Sequence, residues 1–436
     1  MDFVSVFNDV LGPVMRGPSS SHTAGSCRIG RIAKSLLGEK PVSVTCVFDP
    51  AGSYARTYRE QGADLGFAAG FLEWSMTEEK FPQALECAAR AGTSLEFKVS
   101  PLRRADHPNA VEIRMRGESG RELSLEAKSV GGGMVVINRL EGWKVNLTGK
   151  SFDLLIECDR GSEAAIETVL KEAEEKIRAP VRQSRGDLSL IMARSRSGWN
   201  DAALQKLRRR AAVRRVWYSP PVFFVERGKA LFSKAGEMIA LAERRGHSLG
   251  QVALRYESEL LGFSEAEIRA EMLRRWEVMA SSVRQGLRSE GLRMKLLEPS
   301  AAGIFEAVSQ GKTAAGGLHG KAAARAMAVL HVSSSGGVVC AAPTGASSGV
   351  IPGVLATLAE EKNLGLEAVV TALFAASAVG LVIARRATFA AETAGCQVEI
   401  GAAGAMAAAA VVEAAGGTAR QACDAASISL QNSMGS

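Results

Sequence analysis

Two consecutive prolines, Pro220 and Pro221, divide the chain into halves with different residue patterns. Proline lacks a backbone N–H and is disfavoured inside a helix, so the pair marks a boundary between structural units. Before it, short apolar runs typical of strands alternate with helical periodicity, and after it the pattern is helical and rich in Ala and Gly. The sequence therefore predicts a mixed α and β half followed by an all-α domain over residues 220–436.

The first 150 residues are predicted to form an α+β domain. Apolar runs predict strands, and apolar residues spaced three and four apart predict helices. The predicted strands are Val42–Phe48, Ala110–Met115 and Met134–Asn138, and the predicted helices are Cys27–Leu37 and Asp64–Trp74.

Residues 151–219 are predicted to form a smaller unit of the order βαββαβ. Its predicted elements are Phe152–Glu157, Glu163–Ile177, a strand near Val181, Leu188–Ala193, Asp201–Ala211 and Val213–Tyr218. This pattern resembles an ACT domain, a regulatory module that often binds an amino acid beside the turn after its first strand. Here that turn would be Asp159-Arg160-Gly161. A purely structural spacer is the alternative.

One apolar segment of the helical half could be either a membrane span or a core helix. The predicted helices are Lys229–Arg245, Ser264–Gly286, Ala322–Val332, Leu364–Ala384 and Gly404–Ala415. Ala368–Ala384 is almost entirely apolar, so a membrane span is conceivable. The run is slightly short for a span and its Ala and Gly residues suit close helix packing, which favours a buried core helix.

Composition restricts the class of protein. With 436 residues and 47% apolar content, the chain can bury a sizeable core in two to three domains. The net charge of +7 is spread along the sequence, which favours anionic small molecules rather than nucleic acid. The densest basic stretch, Leu207–Val216, is interpreted as the solvated face of a surface helix. Seven widely spaced cysteines and a polar N-terminus without a signal peptide indicate a cytoplasmic protein with reduced thiols.

The segment Gly17–Gly25 is the first candidate site, a turn that is predicted to lead directly into a helix. Hydroxyl groups, an imidazole and free helix N–H groups suit a carboxylate or another anion. Ser21 and His22 are the candidate catalytic residues, and Ser19, Ser20 and Thr23 are candidate substrate ligands. A serine-rich helix cap beside a surface histidine is the alternative.

The segment Cys340–Gly353 is the second candidate site. Prolines and glycines bound it, and it offers several hydroxyls and exposed N–H groups that suit a small anionic substrate. Thr344, Gly345 and Ser348 are its candidate substrate ligands.

Both segments resemble signatures of the iron-sulfur L-serine dehydratase family, with its β and α domains fused in one chain. The matching motifs lie in the family's order: Gly17–Gly25, Asp49, Gly52-Ser53-Tyr54, His107-Pro108-Asn109, Ser129–Gly133, Cys340–Gly353 and Gly395-Cys396-Gln397. Ala55-Arg56-Thr57-Tyr58 departs from the small and polar residues of the family pattern.

The resemblance implies conversion of L-serine to pyruvate and ammonia in a homodimer, without pyridoxal phosphate, nucleic acid or membrane. It further implies a [4Fe-4S] cluster on three cysteines, whose open iron acts as a Lewis acid, with Cys396 as one ligand. The family's other ligands lie in Cys-Asp-Pro and Pro-Cys segments, and this sequence reaches Ser436 without them. A shortened dehydratase is therefore expected.

Three alternatives remain open at this point. Cys340 and Cys423 could complete a rebuilt ligand set with Cys396. The protein could instead be a non-catalytic amino-acid-binding protein or an inactive subunit. A cluster-free hydrolase using Ser21 and His22 ranks last, because the sequence shows no recognisable acidic partner.

Overall fold

A six-stranded sheet backed by helices makes up most of the chain before residue 150 in the computed structural model, which describes residues 3–173, 179–294 and 296–434. Its elements and their neighbours are, in chain order, β1 (Val14–Arg16), α1 (Gly25–Leu37), β2 (Pro41–Phe48), α2 (Ser53–Thr57), α3 (Ala63–Phe71), α4 (Ala84–Arg90), β3 (Ser94–Val99), β4 (Ala110–Gly117), β5 (Glu122–Ser129), β6 (Val135–Leu140) and β7 (Trp143–Leu147). The strand order in the sheet is β3-β2-β4-β5-β6-β7, with β2 and β3 parallel and the other pairs antiparallel. The predicted α+β character of this half is confirmed.

Alternation of apolar and polar residues fixes which face of the sheet is buried. In β5, Leu123 and Leu125 point into the core while their neighbours face outward. The apolar stripe of α1, which includes Ile29 and Ile32, packs on this core. A Cβ on Gly70 of α3 would lie 2.3 Å from the carbonyl oxygen of Cys27, so only glycine permits the close approach of α1 and α3. This contact holds the beginning of α1 in place.

The second unit has the predicted βαββαβ order. Its elements are β8 (Phe152–Asp159), α5 (Glu163–Ala173), β9 (Val181–Arg185), β10 (Leu188–Ser195), α6 (Asp201–Arg208) and β11 (Val213–Ser219). They form an antiparallel sheet of order β11-β8-β10-β9, so the strand expected near Val181 is present. Residues 174–177 of the predicted first helix lie outside the described residues. The likeness to an ACT domain stays a prediction.

The described residues of the second half are helical with one exception, a short strand. Its elements are α7 (Ala235–Arg245), α8 (Leu249–Leu261), α9 (Glu265–Arg288), α10 (Ala301–Ser309), α11 (Gly317–Ser334), β12 (Val338–Cys340), α12 (Val350–Glu361), α13 (Leu366–Arg386), α14 (Ala391–Ala394), α15 (Gln397–Ala414) and α16 (Ala419–Ser433). The exclusively helical prediction is wrong at β12, which pairs antiparallel with β1 and places Val14 opposite Cys340. A three-residue strand whose partner lies in the other half has no periodicity of its own to reveal it.

The N-terminal segment also joins the two halves. Val6 and Leu11 are buried in the hydrophobic core of the helical half rather than in the core of the first sheet. The β1–β12 pair lies a few residues further along the chain. Together these contacts bring the first candidate segment, which follows β1, against the helical half.

Among the described residues, α13 and α15 are long and apolar enough to cross a membrane, which by length and composition alone is weak evidence. In α13, 67% of the most apolar window is buried inside the protein, and Leu373 and Phe374 belong to the core of the helical half. A core helix, as predicted for this segment, would be buried in this way.

Candidate active site

The Gly17–Gly25 segment forms the predicted turn into a helix. Residues Ser20–Ala24 make one π-helical turn that continues directly into α1. The hydroxyl of Ser19 caps the turn by accepting a hydrogen bond from the backbone N–H of His22 at 3.1 Å. Ser19 is thus the expected cap, but His22 is buried rather than at the surface, which contradicts that part of the alternative.

His22 is fully buried, and hydroxyl groups surround its ring. Its Nδ1 lies 3.1 Å from Oγ of Ser21, and its Nε2 lies 3.2 Å from the hydroxyls of both Ser53 and Thr57. The ring of Tyr54 packs against it edge-on, with centroids 5.0 Å apart. Burial lowers the pKa of His22 to about 4, although the nearby carboxylate of Glu392 opposes this effect. The imidazole is therefore neutral near pH 7.

Glu392, in α14, is the acidic partner that sequence reasoning missed. Oγ of Ser21 donates a hydrogen bond to its Oε1 at 2.5 Å, and the same oxygen lies 3.5 Å from Nδ1 of His22. Burial raises the pKa of Glu392, but the hydrogen bond from Ser21 and other polar contacts outweigh it and hold the pKa below its usual value. The carboxylate is ionised at neutral pH, and its side chain is 15% exposed.

The arrangement of these three residues is not that of a serine hydrolase. In a catalytic triad the imidazole stands between the serine and the acid and uses one ring nitrogen for each. Here Ser21 and Glu392 both lie at Nδ1 of His22, and Nε2 faces other hydroxyls. The sequence showed no recognisable acidic partner, and the structure supplies Glu392; the geometry nevertheless differs from that of a hydrolase triad.

Asn109 is a second residue absent from the predicted site, although its His107-Pro108-Asn109 motif was noted. Its carboxamide is fully buried and close enough to Glu392 to help lower the pKa of that carboxyl group. Neither Oδ1 nor Nδ2 makes a hydrogen bond of normal geometry within the described residues. A buried amide without partners is costly, and its position beside Glu392 suits a polar ligand. Its backbone N–H donates to Nδ1 of His107 at 3.1 Å.

The loop after β12 contacts the first segment. The backbone N–H of Gly345 donates to Oγ of Ser20 at 3.2 Å. Ser348 donates to the carbonyl oxygen of Gly345 at 2.7 Å, so its hydroxyl holds the loop in shape. Thr344 is buried, and its hydroxyl lies 3.1 Å from that of Ser347; it is also near enough to Glu399 in α15 to lower the pKa of that carboxyl group. Thr344 therefore lies near the Glu392 region, whereas Ser20 joins the two segments and Ser348 bonds within its own loop.

Thr23 points away from Glu392. Its hydroxyl donates to the carbonyl oxygen of Gln61 at 2.8 Å, which ties the turn to the segment before α3. Ser19 stays near the centre, because its Oγ lies 3.2 Å from Oγ of Ser21 and 3.4 Å from Nδ1 of His22. The structure thus brings Ser19, Ser21 and His22 to the Glu392 cluster and leaves Thr23 at its edge.

The cysteines do not assemble a complete metal site among the described residues. Cys396 is exposed at the beginning of α15, four positions after Glu392 in the chain. Cys340 is buried in the core of the helical half, and burial raises its pKa. Cys423 lies on α16, and burial raises its pKa to about 11. Within the described ranges no group of three or more His, Cys, Asp or Glu side chains could hold a metal ion, so the rebuilt Cys340–Cys396–Cys423 set is contradicted.

The site combines hydroxyls, an amide, an imidazole and carboxylates, and both the mixed half and the helical half contribute to it. Such a site is typical of an enzyme that binds a small polar molecule between two parts of its chain. The sequence model described as serine dehydratase alpha chain matches residues 163–436. The chain belongs to the serine dehydratase family.

Its relatives show that the two halves correspond to separate chains elsewhere. The probable L-serine dehydratase beta chain of Bacillus subtilis (strain 168) is 40% identical over 156 residues, which are 36% of this chain and 69% of the relative. The probable alpha chain of the same organism is 33% identical over 205 residues, 47% of this chain and 68% of the relative. The L-serine dehydratase alpha chain of Peptoniphilus asaccharolyticus is 35% identical over 206 residues, 47% of this chain and 70% of the relative. The resemblance to a fused β and α arrangement is confirmed.

Proposed function

We propose that the protein is an L-serine dehydratase that converts L-serine to pyruvate and ammonia. One observation carries the proposal. Ser21, from the half that matches the beta chains, donates a 2.5 Å hydrogen bond to Glu392, from the half that matches the alpha chains. The two halves therefore share one polar site, and relatives of both halves bear the name L-serine dehydratase.

Glu392 is the proposed base for the α-proton of serine. It is ionised, and its side chain remains partly accessible, whereas His22 is fully buried with both ring nitrogens facing protein groups. A general base must reach the proton that it removes. His22 is then a positioning residue, which holds the hydroxyl of Ser21 against Glu392, rather than the direct proton acceptor.

Glu399 is the proposed acid for the departing hydroxyl. Burial raises the pKa of Glu399, and the nearby Glu392 carboxylate adds to this effect, while a hydrogen bond with Thr344 opposes it. Two carboxyl groups whose pKa values are pushed apart are suited to opposite roles in proton transfer. Loss of the α-proton and of the hydroxyl as water gives aminoacrylate, which tautomerises to iminopyruvate and hydrolyses to pyruvate and ammonia.

Asn109 is the proposed ligand for the serine carboxylate. Its amide is buried without a partner and lies beside Glu392, so a substrate carboxylate that accepts a hydrogen bond from Nδ2 would remove an unfavourable orphan donor. Ser19 and Thr344 lie around the same cluster as further polar contacts.

The family resemblance predicts a [4Fe-4S] cluster, with Cys396 as one ligand. Cys396 is the exposed cysteine nearest in sequence to Glu392. The described residues do not supply the rest of a three-cysteine set, so no step of the reaction is assigned to a cluster.

A substrate assay tests the proposal. After anaerobic reconstitution with iron and sulfide, we expect pyruvate from L-serine and none from D-serine. Calorimetry on the same sample should show binding of L-serine. Absence of both binding and pyruvate would contradict the assignment of this site.

The second candidate function is a non-catalytic amino-acid-binding protein. The observation that favours it is the lack of a complete group of metal-binding side chains among the described residues. Binding of L-serine without pyruvate, in a sample that retains iron, would support this alternative over the dehydratase.

The remaining predictions concern the setting of the site. A cytoplasmic homodimer is proposed from the family resemblance, and analytical ultracentrifugation would measure the dimer directly.

A regulatory role for residues 151–219 is proposed from the βαββαβ order of this unit. If the unit senses serine, Gly161→Val beside the predicted binding turn should change the response of activity to serine concentration.

A further inference from the structure

A cleft of about 590 Å³ lies between the first sheet and the βαββαβ unit, apart from the candidate active site. The first sheet contributes the β4–β5 and β6–β7 turns, and the second unit contributes α6 and β11. The lining residues are Gly120, Arg121, Glu122, Glu141, Arg208 and 213–217. This volume is within the range of sites that hold small molecules.

The charges of the cleft are only partly neutralised. Arg214 forms two hydrogen bonds with Asp159, at 2.7 and 2.8 Å, and Arg215 pairs with Glu141 at 2.6 Å. These two arginines are therefore held by carboxylates.

Arg121 and Arg208 have no such carboxylate partner in the part of the chain that the structure describes. Nη1 of Arg121 donates to the carbonyl oxygen of Leu37 at 3.0 Å, and no ion pair joins Arg208 to another described residue. With Arg214 held by Asp159 and Arg215 by Glu141, the two remaining arginines of the lining face the single carboxylate of Glu122. The cleft therefore has an excess of positive charge, and the exposed guanidinium groups of Arg121 and Arg208 have further N–H groups that can donate to a ligand.

Guanidinium groups bind phosphate through paired hydrogen bonds, and their charge does not depend on pH in the physiological range. We propose that this cleft binds a small phosphate-bearing molecule, held by Arg121 and Arg208. The basic stretch Leu207–Val216 then contributes a ligand site in addition to a solvated surface.

The position of the cleft suits an effector site. Its buried floor residue, Trp217, belongs to the same hydrophobic core as Ile29 of α1. The helix α1 begins directly after the turn that carries His22. A ligand in the cleft would thus join the βαββαβ unit to the layer that supports the candidate active site.

Titration calorimetry of the full-length protein with inorganic pyrophosphate at low ionic strength tests the site. Arg121→Ala and Arg208→Ala should each weaken binding by about tenfold or more, because each removes a charge-assisted contact. Arg209→Ala is the matched control, since Arg209 is exposed in the same basic stretch but does not line the cleft, and its binding should stay within about twofold. Glu122→Gln should tighten binding, because it removes a repulsive carboxylate.

Three results would overturn the proposal. One is the absence of pyrophosphate binding to the unaltered protein. Another is equal weakening by Arg209→Ala and Arg208→Ala, which would indicate general attraction of anions to the basic stretch. The third is equal affinity for citrate and pyrophosphate, which would indicate a site without preference for phosphate.

Discussion

Two polar clusters join the halves of the molecule, and they differ in whether their carboxylates are paired with a cation. In the first, Ser21 and His22 meet Glu392, and the neighbouring amide of Asn109 has no partner among the described residues. In the second, Lys150 lies between Asp9 and Glu226, at 3.0 and 3.3 Å. The first cluster has an accessible carboxylate and an amide without a hydrogen-bond partner among the described residues, whereas the second is a network of ion pairs within the protein.

The second cluster extends to Glu257, which is fully buried. Its carboxyl group accepts hydrogen bonds from the hydroxyl of Ser5 and from the backbone N–H groups of Val6 and Phe7. These contacts attach the N-terminal segment to α8. The comparison indicates that carboxylates paired with a buried cation serve the fold, whereas an accessible carboxylate beside an unpaired amide serves a ligand.

The largest effect is expected from removing the cation of the second cluster. Lys150→Met leaves the carboxylates of Asp9 and Glu226 buried without their partner, so the free energy of unfolding should fall by about 3–5 kcal/mol. Lys34→Met is the control, because Lys34 pairs with the half-exposed Glu73 at the surface and should cost less than about 1 kcal/mol. Urea denaturation measures both, and equal losses would contradict a structural role for the buried cluster.

The next effect is a pH dependence of stability that comes from Glu257. Burial raises its pKa to about 7 in the folded protein despite three hydrogen bonds. Because the folded state binds this proton more tightly than the unfolded state, stability is highest below the usual glutamate pKa and falls as pH rises through about 7. The total loss is on the order of 3 kcal/mol.

Urea denaturation at pH 5 and pH 7.5 measures this loss. Glu257→Gln carries no charge at either pH, so the pH dependence of its unfolding free energy should be flatter than that of the unaltered protein. The same slope in both proteins would show that Glu257 does not titrate in this range.

A smaller effect is expected from Ser21→Ala in the first cluster. The substitution removes the hydrogen bond that keeps Glu392 ionised, so kcat should fall by about 10- to 100-fold. The pKa of Glu392 should rise, and the acidic limb of the pH profile of kcat/KM should therefore move to higher pH. A fall in kcat without movement of the profile would contradict this role of Ser21.

The sequence could predict features that are local in the chain, but not those formed by contacts between the halves. The Gly17–Gly25 turn was recognisable because hydroxyls, histidine and a helix start lie together in the chain. Glu392 was not recognisable from the sequence, because it lies 371 positions after Ser21 and a lone glutamate has no local pattern. Strand β12 was missed for the same reason, since its three residues are defined by a partner in the other half. Local chemistry was predictable, whereas contacts between the halves were not.

The smallest effect is expected from Asn109→Ala. Because the amide has no partner in the described residues, its loss should leave the free energy of unfolding within about 1 kcal/mol, while KM for L-serine should rise about tenfold. Steady-state kinetics and urea denaturation measure the two quantities. Strong destabilisation with unchanged KM would assign Asn109 to the fold instead.

The most direct measurement of the central claim is the rate of pyruvate formation from L-serine by Glu392→Gln and Glu257→Gln, beside the unaltered protein. Each substitution replaces one carboxyl group with an amide, the first at the partly exposed Glu392 and the second at the fully buried Glu257. We expect the rate to fall by about 10²- to 10⁴-fold in Glu392→Gln and to stay within about threefold in Glu257→Gln. Equal rates in the two variants would contradict the assignment of Glu392 as the catalytic base.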